Sequence, residues 1–191
     1  HNMAQRLGLG LTTGIGFSDE KVGIMPDRDW KMESRGLAWT PGETVVAGIG
    51  QGFVLTTPLQ LAVMTARIAN RKYAVRPSLQ AVTGRRDSII FPPLDIAPEI
   101  MDVLHRGMRA VTNGSRGTAR RYDLPQEGMA GKTGTVQVKR ITKEQREKGI
   151  VDNIDRPWKE RDHALFVAFA PYQHPKYAIS LVVEHLSLIH I

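Results

Sequence analysis

The 191 residues include no cysteine. That excludes disulfides, thiolate metal sites and a cysteine nucleophile together, although it leaves the compartment open. Long apolar runs are also missing: no stretch approaches 18 uninterrupted apolar residues, the length a membrane-crossing helix needs. The opening His1-Asn2-Met3-Ala4-Gln5-Arg6 lacks the basic and apolar regions of a secretory signal. Any export signal or anchor is therefore expected outside these residues. Acidic residues are in deficit, 19 against 26 Lys+Arg, for a formal charge of +7. Such an excess invites a polyanionic partner, but nucleic-acid binding also wants aromatic rings among the cations. Residues 139–162 hold eight basic and six acidic residues with one ring, Trp158, so the balance reads as solvated surface and no nucleic-acid partner is expected. His163, His174 and His185 have no second ligand at i+2 or i+4, and neither a metal nor a cofactor is expected.

What is present is ordinary globular composition, 41% hydrophobic and 24% charged, in a length that suits one domain with a real core. Leu7-Gly8-Leu9-Gly10 reads as a helix end, and Thr12 to Gly52 as a long surface loop broken by Pro26 and Pro41. Thr57-Pro58-Leu59-Gln60 is a strong helix start, with a capping residue, a proline at the first helical position and a capping-box glutamine. A helix is predicted to about Arg71 with Leu59, Ala62, Val63, Ala66 and Ala69 on its buried face. A second is predicted from Pro98 to Asn113, with Ile100, Val103, Leu104, Met108 and Val111 buried and Gly114 as the stop. Strands are expected at 74–82, at 129–138, at 164–170 and at 177–184, the last two joined as an antiparallel hairpin through Pro171–Lys176. Residues 139–162 are expected to form a long solvated loop, and Trp30, Trp39 and Trp158 to be packing anchors in loops.

Two nucleotide motifs fail on spacing. A phosphate loop ending in Gly131-Lys132-Thr133 needs glycine at position 126, which is Gln126. Gly48-Ile49-Gly50-Gln51-Gly52 is followed by Phe53, and no helix opens directly behind it. The same lysine instead belongs to Lys132-Thr133-Gly134-Thr135 on a predicted strand, a Lys-Thr-Gly triad of the kind used by penicillin-recognising serine enzymes. A lysine ammonium places positive charge beside a substrate carboxylate, and threonine hydroxyls hydrogen-bond it. Gly134 leaves the strand edge open for a substrate backbone to lie against. The Thr135 N–H can then face a developing oxyanion.

The surrounding segments resemble the class B penicillin-binding proteins. Gly50-Gln51-Gly52-Phe53 with Thr56-Thr57-Pro58-Leu59-Gln60-Leu61, Asn113-Gly114, Gly117-Thr118-Ala119, Ala130 to Gln137, Asp162 to Phe166 and Ala168 to Pro171 follow that family's order. Met25-Pro26 and Trp30-Lys31 point to its cell-elongation branch, penicillin-binding protein 2. The resemblance implies an α+β fold, an antiparallel sheet with packed helices, as part of the penicillin-binding transpeptidase and serine β-lactamase-like fold. It also implies a periplasmic, membrane-anchored D,D-transpeptidase that cross-links peptidoglycan stem peptides through an acyl-serine. β-Lactams would acylate the same serine, and a polytopic membrane glycosyltransferase would be a partner. The substrate-binding residues are then Lys132, Thr133, Gly134 and Thr135, with Thr135 also the oxyanion donor.

The sequence also departs from that family. Its nucleophile lies in Ser-x-x-Lys and its proton relay in Ser-x-Asn. The one literal Ser-x-x-Lys is Ser18-Asp19-Glu20-Lys21, in a glycine-rich acidic segment that offers no helix to hold a nucleophile, and no Ser-x-Asn occurs. Residues 1–185 are therefore expected to be the C-terminal portion of a transpeptidase domain, inactive alone, with the nucleophile upstream. Leu186 to Ile191 is expected to be a tail foreign to the family. Two alternatives stay open: a β-lactam sensor or serine β-lactamase of the same fold, and a non-enzymatic basic interaction domain.

Overall fold

The computed structural model describes residues 1–80, 90–122, 124, 127–138, 147, 149 and 151–186. Among the described residues, five α-helices precede three strands: α1 Asn2–Arg6, α2 Arg28–Arg35, α3 Pro41–Gly48, α4 Pro58–Asn70, α5 Pro98–Asn113, β1 Ala130–Val136, β2 His163–Ala170 and β3 Tyr177–Val183. The strands form one antiparallel sheet in the order β1-β2-β3, with α4 and α5 packed on one face. Among the described residues, β1 pairs on one side only, which makes it an edge strand.

The core forms where α4 and α5 meet the sheet. Ile68, Ala69, Ala130 and Phe169 are buried together, with Leu7, Met64, Met108, Tyr172 and Ala178 packed around them. The strand alternation explains the membership. Ala130, Phe169 and Ala178 sit in register across the three strands and turn the same face to the helices. His105 lies within this core, its ring 4.8 Å from Phe169 and its Nε2 2.7 Å from the Ile68 carbonyl.

The buried faces of both long helices differ from the predicted stripes. In α4 the buried residues are Gln60, Val63, Thr65, Ile68 and Ala69, so Leu59, Ala62 and Ala66 are only half-buried. In α5 they are Met101, His105 and Thr112, whereas Ile100 and Val103 are 49% and 59% exposed. Polar partners decide this rotation. Thr112 Oγ1 donates to the Met129 carbonyl and Arg109 Nη1 reaches the same oxygen at 3.0 Å, while His105 accepts from Arg71 Nε at 3.3 Å. A buried polar side chain with its partners in place can displace an aliphatic one from the inward face.

The expected loop at 12–52 contains two helices, α2 and α3. Asp27 caps α2 through the Trp30 N–H at 2.8 Å, and Thr40-Pro41-Gly42-Glu43 starts α3 with a capping box. That is the same grammar as Thr57-Pro58-Leu59-Gln60, here followed by a helix of only eight residues, too short for apolar periodicity to show. Trp30 is accordingly helical and packs on Phe53 at 5.3 Å. Lys31 is buried, its Nζ 2.6 Å from Glu43 and 2.7 Å from the Ala38 carbonyl; this bond holds the Glu43 carboxyl below its ordinary pKa. At the start of α4, Gln60 is fully buried. Its amide nitrogen donates to the carbonyls of both Leu11 and Val22, each at 2.7 Å, while its oxygen accepts from Thr57 N–H at 3.0 Å.

No strand forms at 74–80; a single bridge, Tyr73 to Pro93, stands just before it, and Pro77 has no N–H to extend a ladder. Residues 81 and 82 lie outside the described residues. The hairpin of β2 and β3 forms as expected. Within 139–162, the described part folds back through short 3-10 turns at Asn153–Asp155 and Trp158–Glu160 and closes with an Arg156–Asp162 ion pair at 3.3 Å. The tail expected from Leu186 lies outside the described residues from 187 onward.

Candidate active site

Lys132-Thr133-Gly134-Thr135 occupies the middle of β1. Ala130, Lys132 and Gly134 alternate with Gly131, Thr133 and Thr135 across the sheet. In an antiparallel strand, the N–H and C=O of one residue point to the same side, and successive residues point to opposite sides. The Thr135 carbonyl accepts from Gln51 Nε2 at 3.2 Å, and Gln51 is no part of β2. The backbone groups of Thr135, and with them those of Thr133, therefore face the free edge. Lys132 and Gly134 turn theirs to β2. Lys132 is exposed, with Nζ 2.6 Å from the Thr133 carbonyl.

The two glycines of this strand meet different neighbours. A Cβ on Gly131 would lie 2.7 Å from Phe166 Cζ and 2.8 Å from the Val167 carbonyl oxygen. A Cβ on Gly134 would meet only Leu165, at 3.4 Å. The first glycine is imposed by packing and the second is not.

Beside the strand, the chain leaving α5 folds back on itself. Ala119 N–H donates to the Val111 carbonyl at 3.0 Å and Gly117 N–H to Gly114 at 2.8 Å, which brings Thr118 Oγ1 to 2.9 Å from Thr133 Oγ1. Between this turn and β1 lies a cleft of about 420 Å³, lined by Ala110, Val111, Ser115, Arg116, Thr118 and Lys132 among others. Its chemistry is cationic and hydroxyl-rich over an aliphatic floor. That combination suits a carboxylate attached to a small apolar group.

Lys132, Thr133, Gly134 and Thr135 thus share one edge strand, and the structure adds Gln51 and Thr118, which sequence reasoning passed over. Both lay in segments that resembled the family, but nothing in their spacing pointed to β1. Ser18 stands on an exposed turn and lines a separate pocket with Phe17, Glu20 and Lys21. Among the described residues, no helix is long and apolar enough to cross a membrane.

An antiparallel sheet with helices on one face and a Lys-Thr-Gly-Thr edge strand defines the α+β class of penicillin-recognising proteins. The family model described as penicillin binding protein transpeptidase domain matches residues 1–187. The chain belongs to that family. It is 32% identical over 193 residues to the peptidoglycan D,D-transpeptidase MrdA of Haemophilus influenzae, covering 96% of this chain and 29% of the relative. The crystal structure of penicillin-binding protein 2 from Pseudomonas aeruginosa superposes with a TM-score of 0.76 at 36% identity, over 95% of this chain and 36% of that one. The penicillin-binding protein 2 of Helicobacter pylori, in complex with MreC, gives 0.76 at 34% identity, over 95% and 31%. The chain therefore spans about a third of each of these three relatives.

Proposed function

We propose that these residues form the substrate-binding strand region of a serine D,D-transpeptidase that cross-links peptidoglycan. The observation that carries the reading is the free edge of β1, where Thr133 and Thr135 present their backbone groups beside an exposed Lys132. Lys132 supplies the charge and Thr133 the hydroxyl that receive the stem peptide's terminal carboxylate. The stem backbone lies along the edge as an added strand. In the complete protein, a serine outside these residues attacks the penultimate D-Ala carbonyl, and the Thr135 N–H stabilises the oxyanion that forms. Terminal D-Ala leaves, and the amine of a neighbouring stem then takes the acyl group from the serine. A β-lactam presents the same carboxylate and acyl carbon, and so acylates the same serine.

Residues 1–185 serve on this reading as the C-terminal portion of the transpeptidase domain. The complete protein is anchored in the inner membrane with this region in the periplasm. It works beside a polytopic glycosyltransferase that makes the glycan strands, and a MreC-type partner is a second candidate, as in the Helicobacter pylori complex. A β-lactamase of the same fold is the second reading; resemblance to proteins named as D,D-transpeptidases favours the first.

Fluorescent-penicillin labelling of the full gene product tests the reading. Lys132→Ala is expected to slow acylation about 10- to 150-fold, the equivalent of a lost charge-assisted hydrogen bond of about 1.5–3 kcal/mol. Unchanged acylation would remove Lys132 from the site. Rapid hydrolysis of the acyl group, with no transfer to an amine, would favour the β-lactamase.

A further inference from the structure

The geometry points to Gln51 as a positioning residue for Thr135: its side-chain amide, fixed by the end of α3, holds the carbonyl of the residue whose N–H receives the oxyanion. This inference rests on the transpeptidase reading above.

Three observations make Gln51 a built arm. The first is the end of α3. Gly50 N–H donates to the Ala47 carbonyl at 2.9 Å and Gln51 N–H to the Val46 carbonyl at 3.0 Å, with Gly50 at φ +73°. These are the paired bonds of a Schellman terminus, and they make Gln51 its last residue. Its backbone direction is thus set by the helix.

The second is the anchoring of the helix itself. The capping box of Thr40 and Glu43 fixes its start, and the buried Lys31 joins that same Glu43 to α2. Just beyond Gln51, Phe53 packs against Trp30 at 5.3 Å, with the Arg35 guanidinium 5.8 Å above its ring. Gln51 is therefore clamped on both sides to α2.

The third is where the arm ends. Gln51 Nε2 crosses 84 positions of sequence to donate to the Thr135 carbonyl at 3.2 Å, one residue before β1 ends at Val136. On this edge, no neighbouring strand satisfies that carbonyl among the described residues. The Thr135 N–H points to the same side. An oxyanion donor acts only if it already points at the developing charge, and a small misplacement weakens it severely.

The chemistry predicts a split between binding and reaction. Lys132 and Thr133 receive the carboxylate before any bond changes, whereas the Thr135 N–H gains its full effect only as the oxyanion forms. Loss of the Gln51 amide should therefore lower the acylation rate constant and leave the pre-covalent affinity for a β-lactam nearly unchanged.

The experiment is stopped-flow acylation of the full gene product by a chromogenic β-lactam, which resolves the two constants. Gln51→Ala is expected to reduce the acylation rate constant about 10- to 100-fold, with the pre-covalent dissociation constant changed less than about threefold. Gln51→Glu should fall at least as far, since an ionised carboxylate cannot donate to a carbonyl. Gln51→Lys, which keeps a donor on a chain of similar reach, should recover part of the loss. Wild-type acylation by Gln51→Glu overturns the inference. So does an equal loss in all three variants accompanied by equal loss of thermal stability, which marks a purely structural role. Lys132→Ala, run alongside, separates the levels: if it is impaired while the Gln51 variants are normal, only this inference fails. If all of them acylate normally, the role given to this strand edge fails with it, and a full gene product that takes no β-lactam at all overturns the transpeptidase reading.

Discussion

Thr118 Oγ1 lies 2.9 Å from Thr133 Oγ1, so the turn leaving α5 reaches across to the hydroxyl expected to meet a substrate carboxylate. A hydroxyl rotor has three staggered positions, and a fixed partner selects among them. Thr118→Val keeps the shape and removes that partner. In the full gene product it is expected to weaken the pre-covalent β-lactam complex about 2- to 10-fold, the range of one neutral hydrogen bond. Binding measured at wild-type strength would show that Thr133 needs no such support.

The two glycines of β1 separate packing from function. Gly131→Ala drives a methyl into Phe166 and the Val167 carbonyl, and overpacking of that kind costs about 1–3 kcal/mol. A clear drop in melting temperature is expected. At Gly134 an added Cβ meets only Leu165, and Gly134→Val adds a residue that strands favour, so the fold should survive while penicillin acylation falls. A Gly134→Val protein that acylates normally would contradict docking along this edge.

His105 gives the fold a pH dependence. Burial is the main cause that pushes its imidazole below the ordinary 6.5; the nearby Arg71 pushes the same way, while the Ile68 carbonyl and Asp102 oppose. With a depressed value in the folded state, the unfolded chain binds the proton first as pH falls. Stability is then full above about 6.5, the unfolded value, and declines below it toward the folded value, by at most about 1.4 kcal/mol per pH unit. Denaturant melts of the full gene product between pH 7.5 and 5 should show that slope, and His105→Gln should flatten it. An identical slope in the variant would assign the effect to other groups.

Residues 1–191 expressed alone are expected to take no covalent penicillin label. The strand that receives the carboxylate is here, but Ser18 stands on an exposed turn, apart from the Lys132 cleft. Ile100 and Val103 on α5 and Ile179 and Leu181 on β3 are also about half exposed or more, so the isolated chain should bind a hydrophobic dye. Stoichiometric labelling would return Ser18 to consideration as the nucleophile.

The sequence was most legible where one physical signal dominated. The Thr57-Pro58-Leu59-Gln60 start and the β2–β3 hairpin rested on capping and turn chemistry, which act over a few residues. The strand that holds Lys132–Thr135 was legible from the β-favouring side chains of Thr133, Thr135, Val136 and Val138. The inward face of α5 was not, because His105 and Thr112 are buried through partners distant in sequence, Ile68 and Met129. An aliphatic count along the helix therefore chose the wrong side. The helices α2 and α3 escaped notice although Thr40-Pro41-Gly42-Glu43 carried the same start signal as α4. Their glycines and prolines suggested a loop, and only the Lys31–Glu43 contact shows what holds the two together. Gln51 and Thr118 belong to a third kind: their relation to β1 exists only in three dimensions.

The buried amide of Gln60 bonds the Leu11 and Val22 carbonyls at once, and so cinches both ends of the segment between them. A segment tied at its neck by one side chain can change in length without moving what it is tied to, since the entropic penalty of a longer loop grows only slowly. The stretch around Gly14 and Gly16, where an added Cβ would meet nothing within 4 Å, thus offers a natural place to graft a peptide tag or a fluorophore. α4 and the strands β2 and β3 it packs on would carry such a graft as a passenger.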